Sequence, residues 1–328
     1  MKTRNLIERC LMSMVILWGS PASALLGFDP TTFQEAYSKG AKAKVEFRIV
    51  DDAGCPVKGA RVNVFFDMAD RSKGHRVIAQ TDTNGVCEVE EKTKGVLEIE
   101  VSREGYYRST DLISFINMGH EHEVKKGKWQ PWGMAKQITL LPVRNPVARI
   151  AGTQDWKWTK EINKWIGFDL MKYDFVEPYG TGESSDIEVI FEWDGAWRQK
   201  DYSGMALRLR LPQKFAGGYY LDKIPGSEYC GVYHAKTNRN FKSEFSFSDK
   251  VATRDKRGRV TSWDRHFFDS TKVLVIRSRC KFYDDGSFKA ANYFQLSDIQ
   301  YACGEHGAAL RFLSIYNPTP NDTNLEPK

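Results

Sequence analysis

The chain of 328 residues carries 48 Lys and Arg against 42 Asp and Glu, a net charge of +6, with 41% hydrophobic and 27% charged residues. That balance excludes a disordered, collagen-like or multi-span membrane protein, and at roughly 100–200 residues per domain the length predicts two domains. Aromatic residues reach 13% and include nine Trp; flat side chains suit a pleated, half-buried surface, so the prediction is a mainly β protein.

Lys2, Arg4 and Arg9 outweigh Glu8 at the N-terminus, an apolar run follows from Leu11 to Trp18, and small residues stand at Ala22 and Ala24. This is the layout of a secretory signal peptide over 1–24, cleaved after Ala24, with an apolar run short of the about 20 residues a membrane span needs. Cleavage removes three basic and one acidic side chain, leaving 45 against 41, or +4. The expected location is the periplasm, cell surface or extracellular space, with no transmembrane segment remaining. The basic clusters Lys125-Lys126-Gly127-Lys128 and Arg254-Asp255-Lys256-Arg257-Gly258-Arg259 contain Gly between apolar segments, so they read as solvated loops and not as a nucleic-acid surface.

Residues 25–40 form a polar lead-in or linker, and a first β domain spans 41–143. Val45, Phe47 and Ile49 alternate with Lys44, Glu46 and Arg48, the period-two pattern of a strand with one dry face. Further strands fall at Val62 to Phe66, Val77 to Thr81, Cys87 to Glu90, Leu97 to Val101 and Gln137 to Leu141. Asp82-Thr83-Asn84-Gly85 is a tight turn, since Asn and Gly tolerate positive φ.

The series Val50 to Val62, with Gly54-Cys55-Pro56-Val57-Lys58-Gly59-Ala60, followed by Thr81-Asp82-Thr83-Asn84-Gly85 and Gly105-Tyr106, resembles a carboxypeptidase regulatory-like domain over about residues 43–107. The resemblance implies a prealbumin-like, Ig-like β-sandwich acting as a non-catalytic accessory module, without peptidase activity. Cys87 departs from the family pattern, which places a core aromatic two residues after the turn Gly.

Pro142 and Pro146 interrupt helix and ladder alike, so a second domain begins at 144 and runs to 318. Trp158, Ile162 and Trp165 predict a short amphipathic helix by their spacing. Ile187, Val189, Phe191 and Trp193 alternate with Glu188 and Glu192, and Met205 to Leu211 alternate with Arg208 and Arg210, which predicts two paired strands with Glu facing Arg. Strands follow at Phe241 to Phe247, Lys272 to Tyr283, Ser287 to Leu296 and Ala308 to Tyr316, with a hairpin turn at Asp284-Asp285-Gly286. The result is a larger β-rich domain, sandwich-like or jelly-roll-like, and a polar tail at 319–328 with no expected fold. Gly167-Phe168-Asp169-Leu170, Val176 to Gly180 and Tyr316 to Glu326 resemble bacterial secreted proteins that join a regulatory-like sandwich to a second domain; that arrangement implies no particular activity.

Export leaves five Cys, an odd number. Cys55 and Cys87 each border a turn and are either a disulfide or two unpaired thiols; Cys280 shares a strand face with Leu274 and Ile276 and reads as a buried thiol. His120-Glu121-His122-Glu123 and Cys303-Gly304-Glu305-His306 carry metal-ligand types without a complete ligand set, so no metal and no cofactor is predicted. Asp82 and Asn84 offer too few oxygens for calcium. The elbow, zincin, phosphate-loop and dinucleotide signatures are missing, although paired carboxylates of a glycan hydrolase leave no sequence signature. Aromatics near loops are the positive signal: seven of nine Trp lie between Trp129 and Trp197, and Trp156, Trp158, Trp197 and Tyr202 are candidate sugar-stacking residues. Any single Trp, the candidates and Trp129 and Trp132 beside Pro131 included, reads first as core, with Trp197, in the loop after Asp194-Gly195, the leading exception. The expected function is an exported, non-catalytic protein whose second domain binds a surface glycan or an envelope protein. The alternative is a secreted glycan hydrolase with that domain catalytic.

Overall fold

The computed structural model describes residues 30–67, 75–116, 124–153, 155–193, 204–224, 227, 231–254, 260–266, 268–304 and 306–328. The signal-peptide region, the His120–Glu123 segment and Cys230 lie outside these residues. The protein is mainly β, built from several sheets with no barrel. It divides into two compact units, residues 1–103 with 109–139, and residues 104–108 with 140–328.

Among the described residues the first unit holds one helix, α1 (Pro30–Lys39), and strands β1 (Ala41–Val50), β2 (Arg61–Phe66), β3 (His75–Gln80), β4 (Val86–Thr93), β5 (Val96–Ser102), β6 (Ser109–Ser114), β7 (Val124–Lys125), β8 (Lys128–Trp129) and β9 (Met134–Thr139). One sheet runs β4-β1-β8-β7, with β9 parallel to β1 on the same flank as β8; the other runs β3-β2-β5-β6. Period-two alternation puts Val45, Phe47 and Ile49 of one sheet, and Val62, Val64, Phe66, Leu97, Ile99 and Val101 of the other, at 3% exposure or less. The predicted turn closes through Asp82, whose carboxylate accepts the Asn84 and Val86 N–H groups. Gly85 sits there at φ +73°, and a Cβ on it would come within 2.4 Å of the Ile49 carbonyl oxygen, so only Gly fits.

One expectation for this unit changes, and one open alternative is decided. Part of the 25–40 lead-in is helical: Pro30–Lys39 forms α1, ended by Gly40 at φ +82°, whose N–H donates to the Ala36 carbonyl. What anchors it is Phe33, edge-on to the fully buried Trp129 at 6.0 Å. Trp129 in turn stacks with Phe115 and donates Nε1–H to the Thr93 carbonyl at 3.0 Å, the partner a buried indole requires.

The alternative left open for Cys55 and Cys87 is decided for two unpaired thiols. Cys55 is exposed in its turn, whereas Cys87 is buried opposite Phe47 in the β1–β4 ladder, filling as a small hydrophobe the position where an aromatic was expected. Burial pushes the Cys87 thiol up to about 11, with the Asp82 charge adding to it, and burial likewise raises Cys303 to about 11. The thiolate is the reactive species. In brief iodoacetamide labelling of the folded protein at about pH 8, peptide mapping should therefore find Cys55 modified well before Cys87 or Cys303.

The second unit comprises β10 (Arg149–Thr153), β11 (Lys157–Thr159), β12 (Ile166–Asp169), β13 (Asp174–Phe175), β14 (Ile187–Trp193), β15 (Gly204–Arg210), β16 (Gly217–Asp222), β17 (Glu244–Arg254), β18 (Val260–His266), β19 (Lys272–Phe282), β20 (Phe288–Gly304) and β21 (Gly307–Tyr316). One six-stranded sheet runs β10-β21-β20-β19-β16 with β11 also on β21; the other runs β13-β12-β14-β15-β17-β18. Between them Phe168, Phe175, Phe191, Leu207 and Phe247 meet Leu274, Ile276, Phe294, Leu310 and Phe312 in one core cluster. On the outer face β14 and β15 pair as predicted, with Glu188 directly opposite Arg210, while Arg208, opposite Ile190, reaches diagonally to Glu192 at 3.1 Å.

The helix expected over Trp158 to Trp165 is absent. Trp158 and Thr159 belong to β11, the Thr159 hydroxyl accepts the Glu161 N–H, and Asn163 takes φ +56°. Two turns of isolated helix are marginal, and pairing with β21 draws Trp158 and Thr159 into a strand.

The polar tail is also folded. Leu325 is fully buried, and Glu326 is 2% exposed. Its Asn and Asp side chains bond inward: Asn317 Nδ2–H donates to the Asn324 carbonyl at 2.7 Å, and Asn324 Nδ2–H to the Asn145 carbonyl at 2.9 Å. Polarity here marks satisfied internal hydrogen bonds and not solvation.

Candidate functional site

Of the four aromatic candidates, Trp156 and Trp158 are described; Trp197 and Tyr202 lie outside the described residues. The two indoles are two positions apart on β11 and its approach, so strand geometry sends them to one face. Their centroids are 6.4 Å apart with planes tilted by 41°. Trp156 is half-buried beneath the Arg311 guanidinium, 4.7 Å from the ring, and Arg311 is held by two bonds to Gln300 Oε1. Trp158 is 69% exposed, the most exposed large apolar side chain among the described residues.

Trp158 forms one wall of a groove of about 560 Å³ that also takes in Pro178 and Tyr179, with Lys160, Glu161 and His306 at its polar margin. Each wall is fixed from below. β11 pairs Trp158 with Ala309 and Thr159 with Ala308, and Gly307 passes so close that a Cβ on it would lie 2.3 Å from the Thr159 carbonyl oxygen. The opposite wall is a doubled-back loop in which Gly182 N–H donates to the Phe175 carbonyl and the Asp174 carboxylate accepts both the N–H and the hydroxyl of Thr181. Burial works against the Asp174 charge, yet the Thr181 bonds outweigh it and hold that carboxyl below its ordinary range. Lys164 donates to the Tyr179 hydroxyl and lies 3.5 Å from Glu161.

An open groove with an apolar floor and a few polar groups at its margin is what a ligand with both C–H faces and hydroxyls requires. Sequence reading found Trp158 by its loop setting but gave no role to Tyr179. His306 appeared only as half of a Cys-x-x-His pair; the structure puts His306 on the groove margin and turns the half-buried Cys303 against the core cluster. Among the described residues no group of three or more His, Cys, Asp or Glu is placed to hold a metal ion.

The two carboxylates with the strongest burial, Asp169 and Asp186, lie elsewhere, at 1% and 0% exposure. They share Arg279, whose Nη2 is 2.6 Å from Asp169 Oδ1 and 2.9 Å from Asp186 Oδ2. Backbone N–H groups of Met171, Lys172, Glu183 and Ser184 complete Asp169, and the Leu170 N–H and the Ser278 hydroxyl complete Asp186. Burial pushes the Asp186 carboxyl up despite Arg279; for Asp169 the backbone donors and Arg279 overcome burial and hold it down. Opposed shifts in neighbouring carboxyls are a feature of acid–base pairs. Here every oxygen is occupied by a protein donor, and the group ties β12 and β14 of one sheet to β19 of the other.

Arg279 reaches this position through a bulge. It takes φ +54° where the β19–β20 register shifts between Ser278 and Lys281, so consecutive residues Ser278 and Arg279 both turn to Asp186. The same shift leaves Cys280 half-buried, not buried as its strand face predicted.

No family model matches the chain, and no curated protein matches it. Among solved structures, 3-chlorocatechol 1,2-dioxygenase from Rhodococcus opacus 1CP aligns over 32% of this chain and 61% of that one, at 13% identity and a TM-score of 0.27. Catechol 1,2-dioxygenase from Acinetobacter radioresistens aligns over 36% of this chain and 58% of that one, at 14% identity and a TM-score of 0.25. The chain thus covers less than two thirds of either enzyme, and likeness at this level determines neither fold nor chemistry.

Proposed function

We propose that this is an exported, non-catalytic protein of the envelope or extracellular space, and that its second unit binds a surface glycan in the groove between Trp158 and Tyr179. The observation that carries the reading is the Trp158 indole, 69% exposed on a rigid strand beside a second indole. A sugar ring presents C–H groups to the electron-rich face of an indole, and the charged margin supplies partners for its hydroxyls. Export rests on the N-terminal 24 residues, and no described helix is long and apolar enough to cross a membrane.

The test is retention of the full mature chain on a panel of envelope and host glycans, scoring bound protein and released reducing ends. Trp158→Ala should lower retention about tenfold or more while leaving stability within about 0.5 kcal/mol, because an exposed side chain contributes little to folding. Retention by no glycan would leave an envelope protein as the partner, and released reducing ends would mark a hydrolase.

A further inference from the structure

A second groove, of about 510 Å³, lies between the end of β16 and the segment 231–236 and shares no residue with the first. Its lining includes the apolar side chains of Leu221, Ile224 and Val232 with Tyr220 and Tyr233; Val232 and Tyr233 are buried, and the Arg144 guanidinium lies 4.4 Å from the Tyr233 ring. Its margin carries Lys236, Arg239 and Lys272 with one carboxylate, Asp222. Lys272 neutralises Asp222 at 2.6 Å. Among the described residues neither Lys236 nor Arg239 has an ion-pair partner, so two positive charges stand uncompensated at the mouth of an apolar hollow.

The walls are set before any ligand arrives. Ile224 N–H donates to the Gly231 carbonyl at 2.8 Å, Val232 N–H to Gln295 Oε1 at 3.1 Å, Ala235 N–H to the Thr323 carbonyl at 2.8 Å, and Leu325 N–H to the Tyr233 carbonyl at 2.7 Å. Gly231 has no room for a side chain, since a Cβ would lie 2.5 Å from Val273 Cγ1. The Lys236 N–H donates to the hydroxyl of the buried Tyr219, which fixes the backbone from which the lysine projects. A concave apolar wall focuses the field of charges on its margin, and a guanidinium matches a phosphate with a two-pronged set of donors.

We propose that this groove binds a phosphate monoester whose organic group is apolar. A phosphate monoester carries a charge of about −1.5 to −2 near neutral pH, which balances Lys236 and Arg239 together, whereas a carboxylate balances only one of them. The apolar group lies against the half-buried Leu221 and Ile224 in the lining. Nothing in this site depends on the glycan reading.

Calorimetric titration of the full chain with phenyl phosphate, inorganic phosphate and benzoate tests it. Phenyl phosphate should bind about tenfold more tightly than inorganic phosphate, the gain expected from burying one ring against the floor. The double variant Lys236→Gln, Arg239→Gln should lose about tenfold or more in affinity with an unchanged melting temperature, because both side chains are exposed. The proposal is overturned by an absence of phenyl phosphate binding at about 10 mM, by benzoate or inorganic phosphate binding as tightly, or by unaltered affinity in the double variant.

Discussion

Arg279→Met should lower the stability of the second unit by about 3–5 kcal/mol at neutral pH, the penalty for leaving buried charge without its partner. Asp169 and Asp186 are both essentially inaccessible, and Arg279, three-quarters buried itself, is the cation that contacts both. Removing it leaves the backbone donors in place but leaves two neighbouring anions to repel each other. The pH dependence gives the sign. In the natural chain the Asp169 carboxyl is held below its ordinary value, so its contribution is full above about pH 4 and is lost as pH falls through the lowered native value. Asp186 is already raised by burial in the natural chain; in the variant it loses the guanidinium that opposes that rise, and Asp169 loses one of the groups that hold it down, so the stability loss relative to the natural chain should be smaller at pH 5 than at pH 7. Denaturant melts at the two pH values check this. Adding Asp186→Asn to the variant should restore part of the loss at pH 7, whereas a residue that merely filled space would show neither effect.

Deleting Leu325–Lys328 should cost about 3–5 kcal/mol, a large share of what a domain possesses. Leu325 is fully buried in a cluster with Tyr219, Val273, Val275 and Tyr293. The Glu326 carboxylate accepts the N–H groups of Arg144 at 2.6 Å and Asn145 at 2.7 Å, and the Tyr107 hydroxyl at 3.2 Å. Its backbone carbonyl accepts those of Val147 and Ala148. One residue thus accepts four backbone N–H groups, those of Arg144, Asn145, Val147 and Ala148. Glu326→Ala alone should cost about 1–3 kcal/mol by stranding buried N–H groups, and Glu326→Gln should cost less, since an amide oxygen can still accept. Thermal unfolding of the three variants gives the ranking.

Much of the fold was legible because local chemistry and burial agree. Alternation placed Phe47, Val64, Ile99 and Phe191 inward, Asp82 to Gly85 specified its turn, and Glu188 and Arg210 announced a cross-strand pair, since each signal depends on residues close in sequence or on a period that sheet geometry imposes. Trp158 was readable as a candidate because a large indole beside turn-forming residues has little to bury against.

What the sequence could not carry was long-range partnership. Spacing alone gave Trp158 to Trp165 to a helix; pairing with β21 took Trp158 and Thr159 into a strand instead. The polar C-terminal residues read as solvated until Asn145, Arg144 and Tyr107 appeared beside them, about 180 to 220 positions away. Asp169 and Asp186 lie 110 and 93 positions from Arg279, and a single bulge in β19 brings the guanidinium to both. Tyr179 and His306 likewise became one groove with Trp158 only when three separated segments converged. Composition and period determined which faces are dry; tertiary structure decided which polar groups meet, because an isolated side chain's charge does not record who will neutralise it.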